Sequence, residues 1–371
     1  MDHVVLNAIQ LKQQSSGIGL MIYNLYKNLI EISPDLDFTI LLSKDSPLLV
    51  DEIQYHVIRI PYKKQQSLQR TLYENFKISK YCKNCIYISC DSKLPLRLPK
   101  TACTFLFVTD LAVYRMGKVY RASRMLYWKY MFKHSINKSQ KILAISQFTK
   151  DEIIDILHVN PFKISVVYCA PNAGVNYVTD FGRLDFVRNK YSLPEKFFLF
   201  VGNFNPRKNL INIIRAFDMF KVNDPSDYKL VIVGEKGWKF KKSEVIEAIK
   251  HKEDIIFPGY ISDEDLSSLY SLSSAFVFPT LYEGFGIPLI EAQVCHTPVI
   301  TSNTPCFHEV CGEGAIFVDP YSFNEICDAM HRIVDDHILR EGLICKGLIN
   351  SNRFSWKKSA EKLKQAILQI V

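Results

Sequence analysis

Phe276-Val277-Phe278-Pro279-Thr280-Leu281-Tyr282-Glu283-Gly284-Phe285-Gly286-Ile287-Pro288-Leu289-Ile290-Glu291-Ala292 reads as a buried strand, a loop and the start of a helix. The apolar run ends at Pro279, the two glycines permit close backbone approach, and Pro288 suits the first turn of a helix. Unpaired N–H groups at such a start, aided by the macrodipole, make an anion site. Glu283 in the loop and Glu291 in the helix can both border one ligand lying across that start. A carboxylate accepting from two adjacent hydroxyls holds a ribose or a hexose. The plainer alternative makes Glu283 an N-terminal helix charge and Glu291 a solvated helix residue.

The same grammar recurs in Phe200-Val201-Gly202-Asn203-Phe204-Asn205-Pro206-Arg207-Lys208-Asn209-Leu210, with two cations at the turn. Cations at a helix N-terminus oppose its dipole, so they need a reason to be there. Neutralising a pyrophosphate leaving group is one, Arg207 as a planar fork and Lys208 as a point charge. Here the spacing predicts a helix from Lys208 to Phe220.

Outward from these two stretches, apolar runs alternate with periodic segments along the whole chain. Strands are expected at His3 to Ile9, Asp37 to Leu42, Tyr55 to Ile60, Cys85 to Ser89, Thr101 to Val108, Lys141 to Ile145 and Lys163 to Tyr168. A second series covers 197–201, Tyr228 to Val233, Asp254 to Phe257, Ala275 to Phe278, Pro298 to Thr301 and Ala315 to Val318. Helices fit between, among them Gly19 to Ile32, Phe148 to Leu157, Asp263 to Leu272 and Ile287 to Val294. This is an α/β pattern of parallel sheets wrapped by helices. The periodicity lapses after Tyr168, which predicts a domain over 1–172, a linker over 173–194 and a second domain over 195–353. Two Rossmann-like domains facing one another would bind ligands at strand carboxyl ends, in a cleft between the halves.

Composition narrows the class. Apolar residues make up 48% of the chain and charged residues 23%, as in an ordinary globular protein. No apolar run approaches the roughly 18–20 residues of a spanning helix. Met1-Asp2-His3-Val4-Val5-Leu6 lacks a basic n-region and reads as a first strand, so the ten cysteines are expected as free thiols in a reduced, cytoplasmic protein. Cys82-x-x-Cys85 has no second pair, and Cys306, His308 and Cys311 lack a fourth ligand, so packing cysteines are favoured over metal sites.

The net charge of +8 has a location. Between 111 and 150 there are nine Lys or Arg and no acid, interleaved with Tyr114, Tyr120, Tyr127, Trp128, Tyr130 and Phe132. Contact with an anionic membrane is one reading and a partly buried helix with a solvated basic side is the other. No helix-turn-helix, zinc-finger or RNA-recognition signature supports nucleic acid.

From Val201 to about Pro320 the sequence resembles the donor-binding half of retaining glycosyltransferases of family 4, which have the GT-B fold of two Rossmann-like domains. The matching pieces are Val201-Gly202 through Pro206-Arg207-Lys208-Asn209, Leu230 to Gly234, Phe257-Pro258-Gly259-Tyr260-Ile261-Ser262, Glu283 with Glu291, and Glu309-Val310 before Asp319-Pro320. Ser15-Ser16-Gly17-Ile18-Gly19 resembles the family's first glycine loop, and Ala144 to Lys150 its strand-to-helix junction before the linker. Phe354-Ser355-Trp356 opens a last segment, 354–371, that in such folds crosses back to the first domain.

The resemblance implies a nucleotide-diphosphate sugar as donor, no cofactor and no metal. Arg207 and Lys208 would hold the diphosphate and Glu291 the ribose. Glu283, with the backbone of Gly284, Phe285 and Gly286, would meet the donor sugar and its phosphates, and Gly17, Gly19 and Gly202 would line the donor. The base is expected near 234–238 and 259–262. One departure stands out: the family's His-Asp pair reads Thr109-Asp110 here, which leaves Asp110 as a catalytic candidate. It also motivates an alternative, a catalytically silent GT-B partner subunit that binds a nucleotide sugar. An epimerase on this fold lacks its acidic and histidine residues. The expected pathway is a bacterial surface polysaccharide such as O-antigen or capsule, with a mannose-like hexose passed to a lipid-linked or oligosaccharide acceptor by a cytoplasmic protein at the inner face of the plasma membrane.

Overall fold

The structure, a computed structural model, describes residues 3–11, 17–49, 55–62, 67–117, 122–223, 227–234 and 250–370. The chain divides into two compact units, Met1–Ala170 with Phe354–Val371, and Pro171–Arg353.

In the first unit the strands are β1 (His3–Asn7), β2 (Asp37–Leu42), β3 (His56–Arg59), β4 (Ile86–Ser89), β5 (Cys103–Val108), β6 (Lys141–Ala144) and β7 (Ile164–Val166). They form one parallel sheet in the order β3-β2-β1-β4-β5-β6-β7. Central strands are covered on both faces, so Val4, Val5, Leu6, Ile86, Tyr87, Ile88 and Phe105 to Val108 have no exposed surface. That is why they read as continuous apolar runs without alternation. Helices α1 (Ile18–Glu31), α2 (Ser67–Phe76), α3 (Ala112–Arg115), α4 (Ala122–Lys138) and α5 (Gln147–Leu157) accompany the sheet. Ser146 caps α5, its Oγ accepting from Thr149 N at 2.9 Å.

The last helix, Trp356–Leu368, packs against α1 and belongs to this unit. Ser359 Oγ donates to the Tyr168 carbonyl at 2.6 Å, and Lys364 Nζ to the Ile32 carbonyl at 2.8 Å. The ten cysteines are free thiols, with Cys82, Cys85, Cys306 and Cys311 buried.

The second unit repeats the plan. Strands β8 (Phe197–Val201), β9 (Lys229–Val233), β10 (Ile255–Ile256), β11 (Ala275–Phe278), β12 (Val299–Ser302) and β13 (Ile316–Val318) lie parallel in the order β10-β9-β8-β11-β12-β13. Phenylalanines dominate its core: Phe198 meets Phe220 edge-on at 5.2 Å between centroids, and Phe276 stacks on Phe278 at 5.4 Å. In both sheets the strand order reverses beside the first strand, at β1/β4 and at β8/β11. Ligands of doubly wound sheets bind outside the carboxyl ends at that switch.

The expected linker over 173–194 is not a linker, because it is built into the second unit. It carries α6 (Phe181–Lys190), whose N-cap Asp180 accepts from Gly182 N and Arg183 N, packed on a helix later in the chain. The polar sequence misled because α6 is held by charge rather than by an apolar stripe. After α7 (Leu210–Asn223) comes α8 (Asp263–Leu272), and its Asp265 gathers the partners. Arg183 donates to Asp265 Oδ1, while Lys190 Nζ, Tyr191 OH and Ser262 Oγ donate to Oδ2 at 2.7, 2.6 and 2.7 Å. Burial would raise the Asp265 pKa, but the bonds from Lys190, Tyr191 and Ser262 overcome it and bring it to about 2.

A depressed carboxylate pKa gives stability that is present above the unfolded value of about 3.9 and is lost as pH falls towards 2. Asp265→Asn is therefore expected to destabilise the second unit by about 1–2 kcal/mol at pH 7, after allowance for screening of its half-exposed partners. Urea midpoints at pH 7 and pH 2.5 check this, since the difference between variant and parent should shrink at the lower pH.

Candidate functional site

At the β8/β11 switch the chain leaves β8 through Gly202 and enters a short 3-10 turn, Pro206–Lys208, capped by Asn205 Oδ1 accepting from Arg207 N at 3.1 Å. Asn209 follows in the left-handed conformation with φ of 60°, and α7 begins only at Leu210. The expected helix from Lys208 therefore starts two residues late, and Arg207 and Lys208 stand outside it. What holds them is Glu283. Lys208 Nζ lies 2.8 Å from Glu283 Oε1 and Arg207 Nη2 lies 3.8 Å from Oε2. The Lys208 approach is an ion contact rather than an aligned hydrogen bond. Its ammonium also sits 4.5 Å from the centre of the Phe278 ring, on the last residue of β11.

Only 12% of the Glu283 side chain and 14% of that of Lys208 remain exposed. Burial on its own would push the Glu283 pKa up, but the charges of Arg207 and then Lys208 outweigh it and hold the carboxyl below its ordinary value. The site is thus a fixed carboxylate flanked by two cations, where strand ends converge.

Asn209 fastens this arrangement, a role that its place in the sequence did not reveal. Its Nδ2 donates to the carbonyls of Pro279 and Pro320 at 2.9 and 2.6 Å, tying the loops after β11 and β13 to the cationic turn. Leu281 N donates to the Arg207 carbonyl at 2.8 Å, so the two loops that carry Glu283 and its cations share a backbone bond. Gly202 N donates to the Val233 carbonyl, and a Cβ on Gly234 would lie 2.0 Å from the Gly202 carbonyl oxygen, so a bare backbone is required there.

Gly284, Phe285 and Gly286 lead into α9 (Ile287–Val294). Gly286 has φ of 104° and a Cβ on it would meet Leu289 at 2.9 Å. The Phe285 ring is packed inside, so only its backbone can face a ligand. Glu291 is 4% exposed and is not a solvated helix residue. Its Oε1 accepts from Asn172 N and its Oε2 from Tyr270 OH, both at 3.3 Å. Burial raises its pKa to about 7 against the pull of those two bonds.

In the first unit Gly17 precedes α1 with φ of 54°, Gly19 is buried in the first turn of α1, and Ser15 and Ser16 lie outside the described residues, as do 235–238 of the expected base site. Asp110 follows β5, and its Oδ1 accepts from Ala112 N at 2.9 Å at the start of α3. Thr109 N donates to Ser92 Oγ at 3.1 Å. Sequence reading missed a buried charged cluster at the β1/β4 switch. Glu74 there lies 3.2 Å from Arg70 and 3.0 Å from Lys93, which in turn lies 3.3 Å from Asp91.

Asn209→Ala would strand the Pro279 carbonyl and put a residue without an amide side chain, which tolerates the left-handed conformation less well than Asn, at φ of 60°, a combined loss of about 2–4 kcal/mol. Asn209→Gly keeps the backbone angle free and should lose less; urea unfolding of the two variants measures the difference.

Residues 184–349 match the family described as glycosyl transferases group 1. O-antigen chain mannosyltransferase B of Escherichia coli is 28% identical over 277 residues, covering 74% of this chain and 72% of that protein. O-antigen chain mannosyltransferase RfbU of Salmonella typhimurium is 33% identical over 196 residues, which are 53% of this chain and 51% of that protein, so the match spans about half of that relative. The solved structure of sucrose-phosphate synthase from Thermosynechococcus elongatus aligns with a TM-score of 0.78 over 100% of this chain and 99% of that one at 19% identity, a likeness of fold. With two doubly wound units of the GT-B class and a segment, residues 184–349, that matches the group 1 glycosyltransferases and contains Arg207, Lys208, Glu283 and Glu291, the chain is a transferase enzyme.

Proposed function

We propose that this enzyme transfers mannose, with retention of configuration, from a nucleoside-diphosphate mannose to a lipid-linked or oligosaccharide acceptor of an O-antigen-type polysaccharide. The observation that carries the reading is the Glu283 carboxylate held between Lys208 and Arg207 at the β8/β11 switch. The names of the two O-antigen mannosyltransferases support the sugar and the pathway. In this reading the diphosphate enters beside the two cations, which stabilise the charge that grows on it as the glycosidic bond breaks. That is the role a divalent ion plays in metal-assisted transfer, here filled by Arg207 and Lys208. Glu283 then meets the hexose hydroxyls, and the acceptor oxygen attacks from the face that the leaving phosphate vacates, with that phosphate taking its proton.

Location at the inner face of the plasma membrane is part of the proposal. No helix among the described residues is long and apolar enough to cross a membrane. Helix α4 exposes Leu126, Tyr127 and Tyr130 within the basic 111–150 stretch, which supports contact of the first unit with a membrane; Lys118, Tyr120 and Arg121 of that stretch lie outside the described residues.

Lys208→Ala and Glu283→Gln should each lower transfer at least a hundredfold while the protein stays folded. A panel of nucleotide sugars, assayed with and without EDTA, tests this: normal turnover by either variant would remove the site assignment, and loss of activity in EDTA would remove the metal-independent reading.

Glu291 adds a pH dependence. A carboxylate must be ionised to accept from both ribose hydroxyls, and a group that titrates near 7 in the free protein is half protonated there. Donor affinity should therefore rise between pH 6 and 8 and lie weak and flat in Glu291→Gln, as measured by calorimetric titration with the nucleoside diphosphate.

A further inference from the structure

Helix α2 is inverted. Leu68, Leu72 and Phe76 recur every fourth residue and are 73%, 52% and 41% exposed, whereas Arg70, Glu74 and Asn75 are buried. A helix on a water-facing surface shows the opposite pattern. The exposed stripe runs into an open trough of about 500 Å³ bordered by Lys80, Lys83, Arg97 and Lys138. The two features are joined where the Arg97 guanidinium lies 5.4 Å from the centre of the Phe76 ring. Lys138 Nζ reaches into the trough to the Leu96 carbonyl at 3.0 Å.

None of the four cations pairs with a carboxylate among the described residues. From Asn75 to Thr109 six Lys or Arg stand against a single acid, and that acid, Asp91, is turned inward onto Lys93. The trough lies at the amino ends of the strands, since Lys83 precedes β4, Pro99 precedes β5 and Lys138 precedes β6. Asp91, Thr109 and Asp110 are at the opposite, carboxyl ends.

We propose that α2 and this trough form a face that docks on an anionic lipid bilayer. Leu68, Leu72 and Phe76 enter the boundary of the acyl chains, and Lys80, Lys83, Arg97 and Lys138 take the phosphates of the headgroups. Apolar and cationic groups side by side complement an anionic amphiphile, and a bilayer offers many copies of it in one plane. The inference rests on the membrane contact proposed above and moves its centre, because Lys138 alone of the four cations comes from the 111–150 stretch. Docking through the amino ends leaves the carboxyl ends of this unit turned away from the bilayer, towards the outer end of a long lipid-linked saccharide.

Co-sedimentation of the full chain with vesicles tests the assignment, using phosphatidylcholine alone and phosphatidylcholine mixed with phosphatidylglycerol. The parent should bind the anionic vesicles in preference, and Lys83→Gln with Arg97→Gln should weaken that binding about thirtyfold. Leu72→Gln should weaken it too, whereas Lys129→Gln with Lys133→Gln on α4 should change it less than twofold. Equal binding to neutral vesicles, no effect of the trough pair, or a larger loss from the α4 pair would overturn the proposal. So would a change of oligomeric mass in Leu72→Gln, which would make the stripe a contact between copies. Transfer to a soluble saccharide should be unchanged in every variant, and its loss in the parent would count against the mannosyltransferase reading alone.

Discussion

A carboxylate buried between two cations is a demanding thing for a fold to build. Each partner of Glu283, Lys208 and Arg207 gives up hydration, and the mutual attraction of such a group roughly offsets that loss instead of adding stability. The surrounding chain must therefore hold all three. Asn205 caps the turn that carries the cations, Asn209 anchors it to two proline carbonyls, and the Leu281 N–H binds the Arg207 carbonyl across the switch. These bonds use backbone groups that strand ends leave unpaired, so satisfying the backbone and positioning the charges are one structural act. The arrangement fits a ligand with an anionic part and a hydroxylated part, since the cations and the carboxylate can each exchange one partner for another.

The two units share a strand order and differ in what fills the switch. In the second unit Glu283 stands against two cations; in the first, Glu74 and Asp91 stand against Arg70 and Lys93. Both sets sit where a doubly wound sheet offers its crevice. The first is nearly neutral and walled by Asn7, Asn75 and Leu94, with room for about one water, whereas the second carries an extra positive charge. Of the two, the net positive set is the one whose charge suits a phosphate.

Much of this was legible in the sequence because buried parallel strands and glycine turns leave local marks. The run 276–292 gave its strand, its loop and the bounds of α9 as the structure has them, and Lys208 and Glu283 were singled out from types and spacing. What was hidden depended on distant partners. The polar stretch around α6 looked like a linker because Asp265, which holds Arg183, Lys190 and Tyr191, lies some seventy-five residues later. Asn209 looked like one more turn residue because its two carbonyl partners follow β11 and β13. Glu291 could not be told from a solvated helix residue until Tyr270 and Asn172 closed over it.

The surface charge shows the same limit in another form. Counting along the chain located the basic excess at 111–150, where it is dense in sequence, and α4 does expose Leu126 and Tyr130 there. The trough instead collects Lys80, Lys83, Arg97 and Lys138, which no short window contains together. They meet because consecutive parallel strands must all start at the same edge of the sheet, so residues just before β4, β5 and β6 become neighbours whatever their separation in sequence. On α2 the apolar residues are regularly spaced as well, but the core is on the other side. A hydrophobic stripe tells that a helix has an apolar face, and only the sheet beneath it tells whether that face looks inward or out.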